Sequence, residues 1–162
     1  MRIDNAELWA LLHQLDDPAH LETPPGFDWE AARRQFDGLV SRLTTAFGTA
    51  CGEDRSVQDA TYHAQVIVPA DATATGRNLV VRVSNFGSLA VLALENPGAY
   101  DQQELDSLVH EKDVARISKS LDEENYVLIP EEPLWKPYDG CVPPRVFLPN
   151  KPTWWLRYFD YL

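Results

Sequence analysis

The side chains best suited to metal or nucleophilic chemistry in this 162-residue chain are four histidines, His13, His20, His63 and His110, and two cysteines, Cys51 and Cys141. An element that supplies two metal ligands spaces them two, three or four residues apart, because only then do both side chains turn to the same side. None of the six has such a neighbour among the others. His110-Glu111 opens like a zinc-protease helix, but Val114 stands where the second histidine belongs. Nucleophilic catalysis needs a hydroxyl or thiol, a base, and a group that orients the base. The chain has no Gly-x-Ser-x-Gly elbow, and Ser84 and Ser88 flank a turn, where small polar residues serve backbone geometry. Its glycines are isolated, so no Gly-x-Gly-x-x-Gly or Walker loop cradles a phosphate. The pattern therefore assigns no catalytic residue, no metal ligand and no cofactor.

Carboxylates are the chemistry the chain has in surplus. Twenty-five Asp and Glu against 14 Lys and Arg give a formal net charge of −11, which repels nucleic-acid backbones and speeds encounter with a basic protein. The surplus is bunched, with ten acidic against three basic side chains in residues 101–132. The expected partner-binding face comprises Glu104, Asp106, Glu111, Asp122, Glu123, Glu124, Glu131 and Glu132, with Trp135 and Tyr138 as aromatic anchors of the kind that dominate binding energy. The bland alternatives are a solvated helical face for the acids and core plugging for the two aromatics.

The elements that would carry these residues can be read from periodicity. Asp4 with Glu7 is a capping box, followed by a stripe of Leu8, Leu11, Leu12 and Leu15. Asp28 caps a longer helix through Ala32, Phe36, Leu39, Val40, Leu43 and Phe47, stopped by Gly48 or Gly52. The period then drops to two in strands over 62–68, 79–84 and 88–94, with Tyr62 and His63 on opposite faces and the last two strands forming a hairpin. Asp101 with Glu104 opens a helical region to Leu121 whose spacing slips near 110–113, suggesting two short helices, and 126–129 is a short strand. Seven of the 12 prolines fall between Pro130 and Pro152 and make that segment a structured loop. The terminal run from Thr153 to Leu162, apolar on both alternating faces, reads as a strand inside the sheet.

These readings predict an α+β fold in a single domain, residues 1–162. Two N-terminal helices pack on one face of a mostly antiparallel sheet of about five strands, and a helical insertion separates strands three and four. The N-terminus lacks the apolar stretch of a signal peptide, no run approaches the roughly 20 apolar residues that span a bilayer, and the cysteines form no disulfide framework, although one bridge stays open. The expectation is a cytoplasmic protein that binds neither membrane nor nucleic acid. In size, charge and element types the profile is similar to that of many bacterial immunity proteins, and this resemblance of class implies a non-enzymatic protein that neutralises a basic, nuclease-type toxin. Two other readings stand beside it. One is an enzyme or small-molecule binder with a pocket under the Pro130–Pro152 loop, lined by Trp135, Tyr138 and His63. The other is a structural homo-oligomer that buries exposed aromatics across a two-fold axis.

Overall fold

The computed structural model describes residues 3–58 and 61–160, with the side chains of 56–58 and 61–63 left out. The side chains of Tyr62 and His63 thus lie outside the described residues. Helix α1 (Asn5–Leu15) starts at Asp4, whose carboxylate accepts the Glu7 N–H at 2.8 Å while the Glu7 carboxylate accepts the Asp4 N–H. Helix α2 (Trp29–Phe47) is capped by the Asp28 carboxylate on the N–H groups of Glu30 and Ala31, and ends at Gly48 with φ of 66°. Strands β1 (Gly52–Gln58), β2 (Thr61–Val68), β3 (Leu79–Val83) and β4 (Leu89–Leu94) follow as an antiparallel meander. Helices α3 (Gln102–Leu108) and α4 (Glu111–Glu123) then lead to β5 (Val127–Leu128), which pairs parallel with β4, so the sheet runs β1-β2-β3-β4-β5. The slip in spacing near residue 110 is the junction between α3 and α4, where Val109 ends one helix and His110 caps the next. The α+β class, the two leading helices and a helical insertion are as the sequence predicts; the insertion, expected between strands three and four, lies between β4 and β5 because β1 precedes the strands that the alternation shows.

Side-chain alternation splits the sheet between two cores. One face presents Val66, Val68, Val81, Val83, Ala90, Leu94 and Leu128 to Phe36, Leu39 and Leu43 of α2, Leu105 of α3, and Ile117 and Leu121 of α4. The other presents Leu89, Val91 and Ile129 to Leu8 and Leu12 of α1 and to Trp154, Trp155, Tyr158 and Phe159. The two N-terminal helices therefore pack on opposite faces, correcting the shared face expected from the sequence. Leu89 and Val91 make the difference, because a strand apolar on both sides needs cover on both.

The C-terminal segment is a second correction: Trp154–Phe159 is helix α5, not a strand. The Thr153 hydroxyl accepts the Leu156 N–H at 3.1 Å, an N-cap that follows directly on Pro152. All six helical residues are buried, so no polar face betrays the 3.6-residue period, and a short apolar run does not distinguish strand from helix. The fifth strand is instead β1, an edge strand whose Glu53, Asp54 and Arg55 hide the apolar alternation and protect the edge from further pairing.

One buried ion pair ties α5 to the rest of the chain. Arg157, with a fully buried side chain, donates from Nε to Asp16 Oδ1 at 2.9 Å. Its Nη1 donates to the Leu21 carbonyl at 3.1 Å, and Nη2 to the carbonyls of His20 and Asp17 at 3.1 and 3.3 Å. The guanidinium also lies against the rings of Phe86 and Tyr158, 4.7 and 4.9 Å from their centroids. Asp16 Oδ2 accepts the Cys141 N–H at 2.9 Å and the Tyr138 hydroxyl. A Cβ on Gly140 would stand on the Asp16 carboxylate and the Tyr138 hydroxyl, so only glycine admits this approach of the proline-rich loop. Replacing Arg157 by Met should cost about 3–5 kcal/mol in denaturant unfolding, because Asp16 is left buried without its cation. Arg157→Lys should recover only part of that loss, since one ammonium does not reproduce a planar fork that meets four acceptors.

Candidate functional site

A cleft of about 480 Å³ opens between α3, the start of α4 and the exit of β5. Leu92, Leu105, Val109, Val114, Leu128 and Ile129 give it apolar walls, and Asp106, His110, Glu111 and Glu131 add titratable groups. The α3–α4 junction sets the geometry: α3 closes at Val109, the chain bends, and the His110 imidazole caps α4 by accepting the Lys112 N–H at 3.1 Å on Nδ1. Asp106 accepts a hydrogen bond from the Gln102 side chain at 2.8 Å, and Glu111 is exposed in the first turn of α4.

Glu131 differs from the others in being buried, with 4 % of its surface exposed. Its Oε1 accepts the Trp135 indole N–H at 3.0 Å and the Gly98 N–H. Burial pushes its carboxyl above the ordinary value of 4.5, a rise that these two hydrogen bonds only partly oppose. Asp16 goes the other way. Burial alone would raise it, but the hydroxyl of Tyr138, the N–H of Cys141 and the Arg157 guanidinium together hold it below the usual 3.8.

The ten residues expected to form one acidic binding face are divided by the fold. Asp106, Glu111 and Glu131 meet at the cleft. Glu132 and Trp135 lie beside it: Glu132 accepts the Gln102 N–H at 2.9 Å, and Trp135, 40 % exposed, stacks on Trp155 at 4.7 Å between centroids. Glu104 completes the capping box of α3 with Asp101. Asp122 and Glu123 sit at the other end of α4, about 18 Å from Glu111 at the helical rise per residue, and Glu124 caps the helix there. Glu123 and Glu124 both pair with Arg42 of α2, so their charge is spent on joining two helices. Tyr138 belongs to the Asp16 cluster, packed on Trp154 and Phe147.

Periodicity gave no sign of His110, Thr75 or the apolar cleft walls as a unit, because they come from segments that only the tertiary fold brings together. The expected pocket under the proline-rich loop has a counterpart only at that loop's first residues, Pro130 and Glu131, which line the cleft. Neither Trp135, stacked on Trp155 and part exposed, nor Tyr138, packed on Trp154, lines it. The His63 side chain, the third expected lining group, lies outside the described residues.

Cys141, Tyr138 and Asp16 form the only thiol, hydroxyl and carboxylate cluster among the described residues, with Cys141 Sγ 3.5 Å from Asp16 Oδ2. Desolvation and then the adjacent carboxylate push both the thiol and the phenol up, which keeps each protonated, and the carboxylate is locked to Arg157. That is the electrostatic reverse of an activated nucleophile. Among the described residues no group of three His, Cys, Asp or Glu is placed to hold a metal ion, and no helix is long and apolar enough to cross a membrane. Compared with protein-family models, curated proteins and solved structures, the chain matches none.

The two buried carboxylates should leave opposite marks on the pH dependence of stability. Asp16 stabilises fully above pH 3.8, and its contribution is lost as the pH falls through its lower folded value, so Asp16→Asn should weaken the protein at neutral pH and flatten its acid limb. Glu131 holds its proton in the folded state beyond pH 4.5, so its ionisation lowers stability as the pH rises from there. Glu131→Gln, which keeps an acceptor for Gly98 and Trp135, should be at least as stable as the parent at pH 7. Denaturant midpoints from pH 3 to pH 8 check both signs.

Proposed function

We propose that this chain is a non-enzymatic acidic protein that binds a basic partner protein through the α3–α4 cleft and its rim, in the manner of immunity proteins that neutralise nuclease-type toxins. The observation that carries this reading is the convergence of Asp106, Glu111 and Glu131 on a concave surface with apolar walls, in a chain of net charge −11. Long-range attraction then steers a basic surface toward the molecule, while the apolar walls and the exposed Trp135 face supply contact that excludes water. The clamp of Glu123 and Glu124 on Arg42 leaves the opposite end of α4 less able to contribute. The mechanism is steric and electrostatic, with no bond made or broken.

The test compares the parent with a variant carrying Asp106→Lys and Glu111→Lys, both immobilised and exposed to extract from the native source. A basic protein should be retained by the parent, and its association with the variant should be about tenfold slower at low salt, with a flatter dependence on ionic strength. Retention of the same proteins by both forms at equal rates, or of a second copy of this chain alone, would overturn the reading.

A further inference from the structure

The Glu131 carboxylate is buried and only half satisfied. Both hydrogen bonds it receives fall on Oε1, from Gly98 and Trp135, while Oε2 has no partner and the carboxylate no cation among the described residues. The fully buried carboxylate of Asp16, by contrast, is bonded at both oxygens and has the cation Arg157. Glu131 lines the cleft and neither Gly98 nor Trp135 does, so both donors to Oε1 come from outside the cleft lining and Oε2 is the oxygen without a donor. A buried acceptor without a donor is costly, and a buried carboxylate without a cation more so, which singles the position out as one completed from outside the chain.

We infer that the cleft receives the side chain of an arginine presented by the basic partner, with its guanidinium on Glu131 Oε2. The inference rests on the partner-binding reading above and names the group that the partner inserts. A guanidinium suits the position better than an ammonium because it is less strongly hydrated and loses less on leaving water. Its planar fork leaves further N–H groups for the rim carboxylates of Asp106 and Glu111. The aliphatic stem lies along Leu105, Val109 and Val114, which a small cation without such a stem would not exploit. The volume of about 480 Å³ holds one such side chain together with part of the backbone that carries it.

The probe is arginine blocked as its N-acetyl methylamide, with the equally blocked citrulline as its uncharged isostere, each titrated into the full chain and followed by amide and methyl resonances. Blocked arginine should give saturable shifts at Val109, Val114 and Leu128 in the millimolar range, and blocked citrulline should give none. Glu131→Gln should weaken arginine binding at least tenfold with the remaining spectrum unchanged. Val114→Phe, which fills the cleft without altering charge, should block it. Equal binding of the two probes, or undiminished arginine binding by both variants, would overturn the inference. Should the arginine probe fail while the Asp106 and Glu111 reversals still slow a basic partner, the arginine assignment falls and the partner reading stands. Should the probe bind in the cleft while no basic protein is retained, the partner reading falls and the cleft is a guanidinium site of another kind.

Discussion

The ion pair between Asp16 and Arg157 is the contact on which the C-terminal third of the molecule depends. A carboxylate and a guanidinium withdrawn from water keep their charges only if the protein replaces the hydration they lose. Here the replacement is extensive: three carbonyls of the 17–21 segment and one carboxylate oxygen surround the guanidinium, and the other oxygen takes an N–H and a phenol from the proline-rich loop. Two irregular stretches and one short helix are thereby joined to one point. The segment after α1, the loop around Tyr138 to Val142, and the six-residue helix α5 hold each other in place, and α5 then covers one face of the sheet with Trp154, Trp155, Tyr158 and Phe159.

Glu131 shows the same constraint only partly met. It sits in the turn just beyond β5, where the chain leaves the sheet, and its two hydrogen bonds orient the Trp135 indole and the Gly98 backbone. In doing so it supports the wall of the cleft, with Trp135 stacked on Trp155 behind it. A charge that the fold buries but does not neutralise is a common mark of a functional position, because stability alone would favour glutamine there. The distribution of the remaining charges points the same way. Arg42, Arg77, Arg116 and Lys119 all stand within ion-pair distance of acids, so much of the basic minority is internally compensated, whereas Glu111 at the cleft has no ion-pair partner among the described residues.

The sequence made the locally encoded features legible. Asp4 with Glu7 and Asp101 with Glu104 are capping boxes in the structure, because each is a contact between residues three apart and needs no tertiary context. The hairpin of β3 and β4 was visible from its alternation, and the division of the helical insertion from the slip at His110. What failed to show were the non-local compensations. Arg157 stands among Trp, Leu, Tyr and Phe, and a lone charge in so apolar a run signals a buried partner, but nothing in the spacing points to Asp16, 141 positions earlier. The same burial that demands this partner erased the helical period of α5 and made it resemble a strand. Acid clustering was legible as composition, yet the sequence alone could not separate Glu123 and Glu124, which are tied to Arg42, from Asp106, Glu111 and Glu131, which meet over apolar walls.

The contrast between a fully compensated and a half-compensated carboxylate can be measured directly by following the side-chain carboxyl ¹³C resonances of Asp16 and Glu131 through an acid titration of the folded chain. The Glu131 carboxyl, buried and lining the cleft together with Asp106, His110 and Glu111, should titrate above the ordinary glutamate value of 4.5, and Asp16, surrounded by Tyr138, Cys141 and Arg157, below the ordinary aspartate value of 3.8. A Glu131 carboxyl titrating at or below its ordinary value would mean that its charge is already satisfied within the chain, and the case for a cation supplied by a partner would be lost.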